Sequence, residues 1–330
     1  MSRTLLILAF LFPLLCFLLV RFQDADFLLL LYEFLGQDPT IAFRGKVIWI
    51  TGASSGIGEY LAYELAKFGS KLVLSARRKE ELERVKEKCI AISSALHPSF
   101  KKDQDILVLP LDLSQFNTHE KLTEDVINHF GKVDILVNNA ARGSRSLVEK
   151  GSLEVDRTIM DINTIGTISL TKQVLPYMIQ QQKGKIVVVS SALGKFAVPF
   201  GSSYTASKHA LQGYFDTARL ELAERNIGVQ IICPGPVESN IEKVAFTEDI
   251  NVEFKDTPIY DHVEKLKLEE KMPTERCAKL MVVSMANNLD EVWISEHPVL
   301  FFYYLSQYFP NLFKWVMKTI SPNYIAAQTL

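Results

Sequence analysis

An octapeptide, TGASSGIG (Thr51 to Gly58), follows the apolar run KVIWIT and opens a helical pattern that Gly69 ends. A strand, a glycine turn and a helix in that order limit the fold more than any other stretch of this chain. The turn needs backbone freedom at Gly52, and Gly56 and Gly58 let a ligand and the helix approach the main chain closely. Amides at the start of the helix then face outwards with the helix dipole behind them, which suits an anion such as a pyrophosphate. Ser54 and Ser55 add hydroxyl donors, and Ile57 lies within the same turn. A glycine-rich turn alone is a weak signal; its position between a strand and a helix makes it a strong one.

The rest of the chain repeats the alternation. KLVLSA, DILVLPLDL, VDILVNNA, KIVVVSS, VQIICP and VWIS are short, almost wholly apolar runs separated by helical stretches. Runs that are apolar on both faces predict strands of a parallel sheet covered by helices on each side. The expected fold class is α/β, a doubly wound Rossmann-type sheet in a single domain over residues 45–297, which the 330-residue length accommodates with extensions at both ends.

Those extensions are apolar. Leu5 to Val20 is an uncharged run ended by Arg21. As a helix it would be about 24 Å long, a little short of a hydrocarbon core of about 30 Å. RFQDAD after it makes a poor cleavage site, so residues 1–44 are expected to hold an uncleaved membrane anchor and a linker, with FLLLLYEFL from Phe27 able to deepen the insertion. Residues 298–330 are crowded with Phe, Tyr and Trp but interrupted by Gln307, Pro310, Asn311 and Lys314. They predict an amphipathic segment lying in a membrane interface, folded over a substrate cleft, or packed against the core. Membrane lipid is therefore an expected partner. A net charge of −2 gives no footprint for nucleic acid. Cys16, Cys89, Cys233 and Cys277 have no metal or redox spacing, no metal site is expected, and no Asn-x-Ser/Thr acceptor helps to assign a side of the membrane.

The second strand ends in SARRKEEL, with Arg77 and Arg78 where an acidic residue would bind the ribose hydroxyls of NAD. Guanidinium at that position suits the extra phosphate of NADP, so NADP(H) is the expected cofactor. YTASK places Tyr204 and Lys208 four residues apart, one helical turn on one face. A neighbouring ammonium would favour the phenolate and bring a phenol of pKa about 10 nearer to working range. Ser191, at the end of the preceding strand, can steady the same oxygen. Tyr-x-x-x-Lys alone is common by chance; its company here is not.

Together these motifs resemble the short-chain dehydrogenase/reductase family from about Gly45 to Ser295, through TGASSGIG, LDL, VNNAA, DIN, VVSS, YTASK and PGPVES. The resemblance implies a catalytic tetrad of Asn163, Ser191, Tyr204 and Lys208, with Asn163 holding a water that links Lys208 to solvent. It also implies that Asp112 and Leu113 flank the adenine, that Asn139 and Ala140 border the adenosine side, and that Pro234, Gly235, Val237 and Ser239 border the nicotinamide. Asn-Asn-Ala-Ala at residues 138–141 departs from the family's usual Asn-Asn-Ala-Gly by one methyl, and Ser239 replaces its usual threonine. The anchor, the LERVKEKC helix, MANNLDEVWISEHP and the aromatic tail are closest to one branch of the family. That branch implies an endoplasmic-reticulum membrane enzyme handling lipophilic carbonyls and alcohols such as steroids and retinoids, and possible homo-oligomers.

On the substrate side, Phe196, Val198, Pro199 and Phe200 are apolar and equally suited to a lipophilic ligand or to loop packing; Ser191, Phe196 and Phe200 are the expected substrate contacts. Residues 241–272 predict a charged lid. His209 beside Lys208 is expected to be structural, because the tetrad already provides a proton path. Two rivals remain: a nucleotide-binding membrane scaffold without turnover, and an epimerase or dehydratase of nucleotide sugars, which would require a large carboxyl-terminal domain and a different glycine spacing.

Overall fold

The computed structural model describes residues 23–266 and 271–327. The expected anchor at residues 5–20 lies outside the described residues. Among those described, no helix is long and apolar enough to cross a membrane.

Two short helices, α1 (Phe27–Leu35) and α2 (Pro39–Phe43), precede the sheet. Seven strands then alternate with helices: β1 (Val47–Thr51), α3 (Gly56–Lys67), β2 (Lys71–Ser75), α4 (Lys79–Leu96), β3 (Ile106–Val108), α5 (His119–Phe130), β4 (Ile135–Asn138), α6 (Leu153–Met160), α7 (Gly166–Gln180), β5 (Gly184–Val189), α8 (Ser202–Leu222), β6 (Ile227–Pro234), α9 (Tyr260–Leu266), α10 (Thr274–Ala286) and β7 (Glu291–Ile294). The chain closes on α11 (Val299–Tyr308) and α12 (Pro310–Ala327).

The strands form one parallel sheet in the order β3-β2-β1-β4-β5-β6-β7. Alternate side chains of each strand enter separate cores. Ile48 and Ile50 lie under α3 and α10, whereas Val47 and Trp49 face the opposite layer with Leu170 and Phe215. This is the doubly wound sheet that the apolar runs predict. The order reverses at β1 and β4, so their carboxyl ends diverge into a crevice, and the glycine turn sits at its mouth.

DILVLPLDL is a strand only over Ile106–Val108. Pro110 has no N–H to give to the ladder. Leu109 and Leu111 nevertheless donate to the carbonyls of Leu74 and Ala76, so the chain runs on extended as far as Asp112.

The segment before β1 is part of the packed domain. Ala25 bridges antiparallel to Ile294 on β7. The Asp26 carboxylate caps α1 through Leu29 N–H and also accepts from Trp293 N–H. Arg276 on α10 holds Asp24 through Nε at 2.6 Å and is paired with Glu33 on α1. The run expected to deepen membrane insertion thus buries one residue, Leu29, against the fold and leaves Phe27, Phe34 and Leu35 exposed on the other side.

At the other end, α11 buries Leu300, Tyr303 and Leu305 over the sheet, and α12 buries Phe313. Of the expectations for the aromatic tail, folding over the cleft and packing on the core are both met: α12 residues Met317, Ile320 and Tyr324 roof a cavity of about 1240 Å³ that runs from the glycine turn across the sheet's carboxyl edge. Cys89, Cys233 and Cys277 are buried thiols.

Candidate active site

The cavity has a polar end and an apolar end. At the polar end, Gly52 and Gly56 adopt positive φ (68° and 57°), as the turn requires. A Cβ at Gly52 would lie 2.8 Å from Ala140 Cα and 2.9 Å from Asn139 Nδ2, and one at Gly58 would collide with Gly52 O. Asn139 braces the turn by donating to Thr51 O at 3.0 Å, while its own N–H and that of Ala140 are accepted by Thr51 Oγ1 at 3.0 Å. Ser55, the residue before α3, makes no side-chain cap, so the first amides of that helix are left facing the cavity. Its hydroxyl instead accepts from Arg78 Nη2 at 3.3 Å, as Ser54 Oγ does at 3.2 Å.

Ile57, Arg77, Asp112, Leu113, Pro234, Gly235, Val237 and Ser239 line the same cavity. Gly58 is the exception among the expected contacts: it is buried behind the turn and its role is close packing. An uncapped helix start, a glycine cradle that a Cβ would fill, the Arg78 guanidinium on two serine hydroxyls and Arg77 in the same lining fit a nicotinamide dinucleotide.

Three of the four catalytic candidates, Ser191, Tyr204 and Lys208, line the cavity, whereas Asn163 is buried outside its lining. Tyr204 and Lys208 share one face of α8, with Lys208 Nζ 5.5 Å from the Tyr204 ring centroid. Lys208 is buried, and its ammonium donates to Val189 O at the end of β5 at 2.9 Å. Burial pulls its pKa down to about 8. For Tyr204 burial pushes the phenol up to about 12, and hydrogen bonding with Ser191 acts in the opposite direction. The expected lowering by a neighbouring ammonium is not what this structure shows: the cost of removing a phenolate from water outweighs the opposing hydrogen bond with Ser191.

Asn163 sits in a π-turn, Asp161–Ile165, between α6 and α7. Its amide makes three hydrogen bonds: Oδ1 accepts from Arg142 N–H at 2.7 Å, while Nδ2 donates to Arg142 O at 2.9 Å and Ser207 Oγ at 3.0 Å. Asn163 thus locks the strap after β4 to the helix that carries Tyr204 and Lys208. His209 is exposed and, among the described residues, bonds the Thr205 carbonyl, one turn back on its own helix.

Several contributors were not legible in the chain. Ser144 Oγ accepts from Tyr204 N–H at 3.2 Å, and Ser207 Oγ donates to Tyr204 O at 2.7 Å. Arg142 pairs with Glu253, 111 residues away, at 2.5 Å. Phe200 lines the substrate end and meets Tyr324 of α12 with ring centroids 6.4 Å apart. Phe196 also reaches the cavity but is only 6% exposed, because Tyr303 and Phe313 pack on it at 5.5 and 5.4 Å. It is mainly a core residue beneath the roof.

A nucleotide cradle at the switch point of a doubly wound sheet, joined to a Ser-Tyr-Lys group on the facing strand end and helix, defines a class of enzyme. Residues 46–249 match the family described as short chain dehydrogenase. The chain belongs to the short-chain dehydrogenase/reductase family and is an oxidoreductase of that kind.

It is 48% identical over 301 residues to dehydrogenase/reductase SDR family member 7 of Mus musculus, covering 90% of this chain and 85% of that protein. The Homo sapiens protein of that name matches at the same identity and coverage. Among solved structures, a short-chain dehydrogenase/reductase from Burkholderia phymatum in complex with NAD has a TM-score of 0.69 at 24% identity, over 82% of this chain and 96% of the other. A metagenomic short-chain oxidoreductase in complex with NADP has a TM-score of 0.58 at 26% identity, over 77% and 96%.

Proposed function

We propose that this chain is an NADP(H)-dependent oxidoreductase that interconverts carbonyl and alcohol groups of lipophilic substrates, with Tyr204 as the proton donor and acceptor. The observation that carries the proposal is the position of Tyr204. It stands between a glycine and arginine cradle at one end of the cavity and an apolar roof at the other. When bound, NADP(H) supplies or accepts the hydride.

The chain's own part is proton handling and exclusion of water. Ser191 and Tyr204 hydrogen-bond the reacting oxygen, and a phenol raised to about 12 is present as the acid, ready to donate in the direction of carbonyl reduction. Lys208 offers a buried positive charge on the same helix face, which favours the phenolate left after donation. Arg77 and Arg78, with no carboxylate at the end of β2, support NADP(H) over NAD(H).

The substrate class rests on the lining. Phe200, Val198, Phe302, Met317 and Ile320 surround the far end with apolar surface, as a steroid-like or retinoid-like body requires. We further propose that the enzyme resides in the endoplasmic-reticulum membrane, with residues 5–20 as anchor. The exposed Phe27, Phe34 and Leu35 of α1 and Tyr308 and Trp315 of the tail support apposition to lipid.

The test is oxidation of NADPH and NADH by the detergent-solubilised chain with a panel of ketosteroids and retinals, beside Tyr204→Phe. Turnover of a lipophilic carbonyl with NADPH that Tyr204→Phe abolishes supports the proposal. Faster turnover with NADH overturns the cofactor assignment, and full activity in Tyr204→Phe overturns the mechanism.

A further inference from the structure

The substrate end of the cavity is not purely apolar, and its charges do not cancel. Arg142 and Lys255 share one carboxylate, Glu253, at 2.5 and 2.6 Å. Lys271 is paired with Glu242, and Lys243 has Glu264 at 4.0 Å. Arg145, on the same wall, has no carboxylate within ion-pair distance among the described residues. Its guanidinium lies over two aromatic faces, 4.7 Å from the Phe254 ring and 5.4 Å from that of Phe200.

The strap that carries Arg145 is fixed from both sides. Arg145 N–H donates to Phe246 O at 2.7 Å and Ser146 N–H to Phe200 O at 3.0 Å. Its neighbour Ser144 receives the Tyr204 N–H. Arg142 is 8% exposed, faces the same cavity, and its buried Nε has no acceptor among the described residues. A half-buried cation stacked on aromatic rings keeps its fork of donors in place while losing much of its water, so an anion that enters the cavity gains a charge-assisted pair at small ordering cost. A wholly neutral substrate would leave that charge facing apolar surface, which is costly.

We propose that Arg145, backed by Arg142, is the recognition site for a carboxylate on the substrate. The substrate class is then a lipophilic acid: an apolar body under α12, a carbonyl or hydroxyl at Tyr204, and a carboxylate at Arg145. This inference rests on the oxidoreductase reading for the reacting end but not for the anion site.

Two arms separate the failure of one from failure of the other. In the first, the full chain in non-ionic detergent binds decanoate and decan-1-ol, followed by calorimetry. In the second, kcat/KM is compared for a long-chain oxo-carboxylate and its methyl ester with NADPH. The expected result in each arm is a preference for the acid of about tenfold or more, which declines as salt is added. R145Q brings the acid-to-neutral ratio to about one, and R145K retains part of it. Because the readout is a ratio within one protein, a general loosening of the wall does not mimic the effect.

An acid-to-neutral ratio near one in the unmodified chain, or an unchanged ratio in R145Q, overturns the proposal. If R145Q does not fold, loss of the preference at high salt in the unmodified chain is the supporting outcome and a salt-independent preference the opposing one. Acid-selective binding without turnover sinks the oxidoreductase reading and leaves the anion site standing. Turnover of the ester with no preference for the acid does the reverse.

Discussion

Tyr303 Oη donates a hydrogen bond to the carbonyl of Cys233 at 2.7 Å, from the middle of α11 to the last turn of sheet before Pro234-Gly235. The two residues are 70 positions apart and both are fully buried. The tail is thereby bonded to the strand end that leads into the cofactor loop. Tyr303 also stacks on Trp293 at 5.2 Å, so β6, β7 and α11 are joined at one point.

Tyr303→Phe removes this bond and leaves a buried carbonyl without its partner. The expected cost is about 1–3 kcal/mol of stability, measured by urea unfolding. The accompanying rise in KM for the cofactor should exceed any change caused by Tyr308→Phe, whose side chain is 68% exposed.

Gly58→Ala is expected to weaken cofactor binding strongly while the sheet remains formed. The added methyl would meet Gly52 O and Asn139 Nδ2, the two groups that set the shape of the turn. Nucleotide titration monitored by tryptophan fluorescence should show an affinity loss of about a hundredfold, with an unchanged far-ultraviolet spectrum. Gly213→Ala, at a position with open space on α8, should have no such effect.

Two buried lysines make the molecule sensitive to alkali in opposite ways. Burial holds both Lys185 and Lys208 down at about 8, against an ordinary value of 10.5. Between those values the unfolded chain binds more protons than the folded one, so stability rises with pH across this window. Lys185→Met should reduce that slope in urea unfolding at pH 8 to 10. Activity moves the other way: as Lys208 loses its charge above about 8, kcat for carbonyl reduction should fall.

Truncation after Phe309 removes α12 and with it Met317, Ile320 and Tyr324 from the cavity roof. KM for a ketosteroid should rise by about tenfold or more as apolar contact is lost. KM for NADPH should change far less, since the glycine turn and Arg78 lie at the other end.

The sheet could be read from the chain because buried parallel strands are apolar throughout and leave a continuous signal. The glycine turn, Tyr204 and Lys208 were legible because their spacing is local. What escaped the sequence depends on distant partners. FLLLLYEFL looks like an extension of an anchor until Arg276, more than 240 positions away, is found holding Asp24 and Glu33. Phe196 lines the cavity as expected, but that Tyr303 and Phe313 pack on it could not be read from the chain. The direction of the Tyr204 shift was hidden for a different reason: spacing puts a cation nearby but says nothing of the depth at which the phenol lies.

The clasp of Asp26 on Trp293 joins positions 267 residues apart. On the ribosome, the segment from Asp24 to Leu35 is made early, yet its receptor, β7 with α10, is among the last parts to emerge. Until then Leu29 has nothing to cover it. Such a late, non-local closure is slow and leaves sticky surface open to other chains. Emergence of β7 and α10, rather than completion of the glycine turn, is therefore the step at which α1 finds its seat, and stalled chains ending before Val292 should engage chaperones through α1.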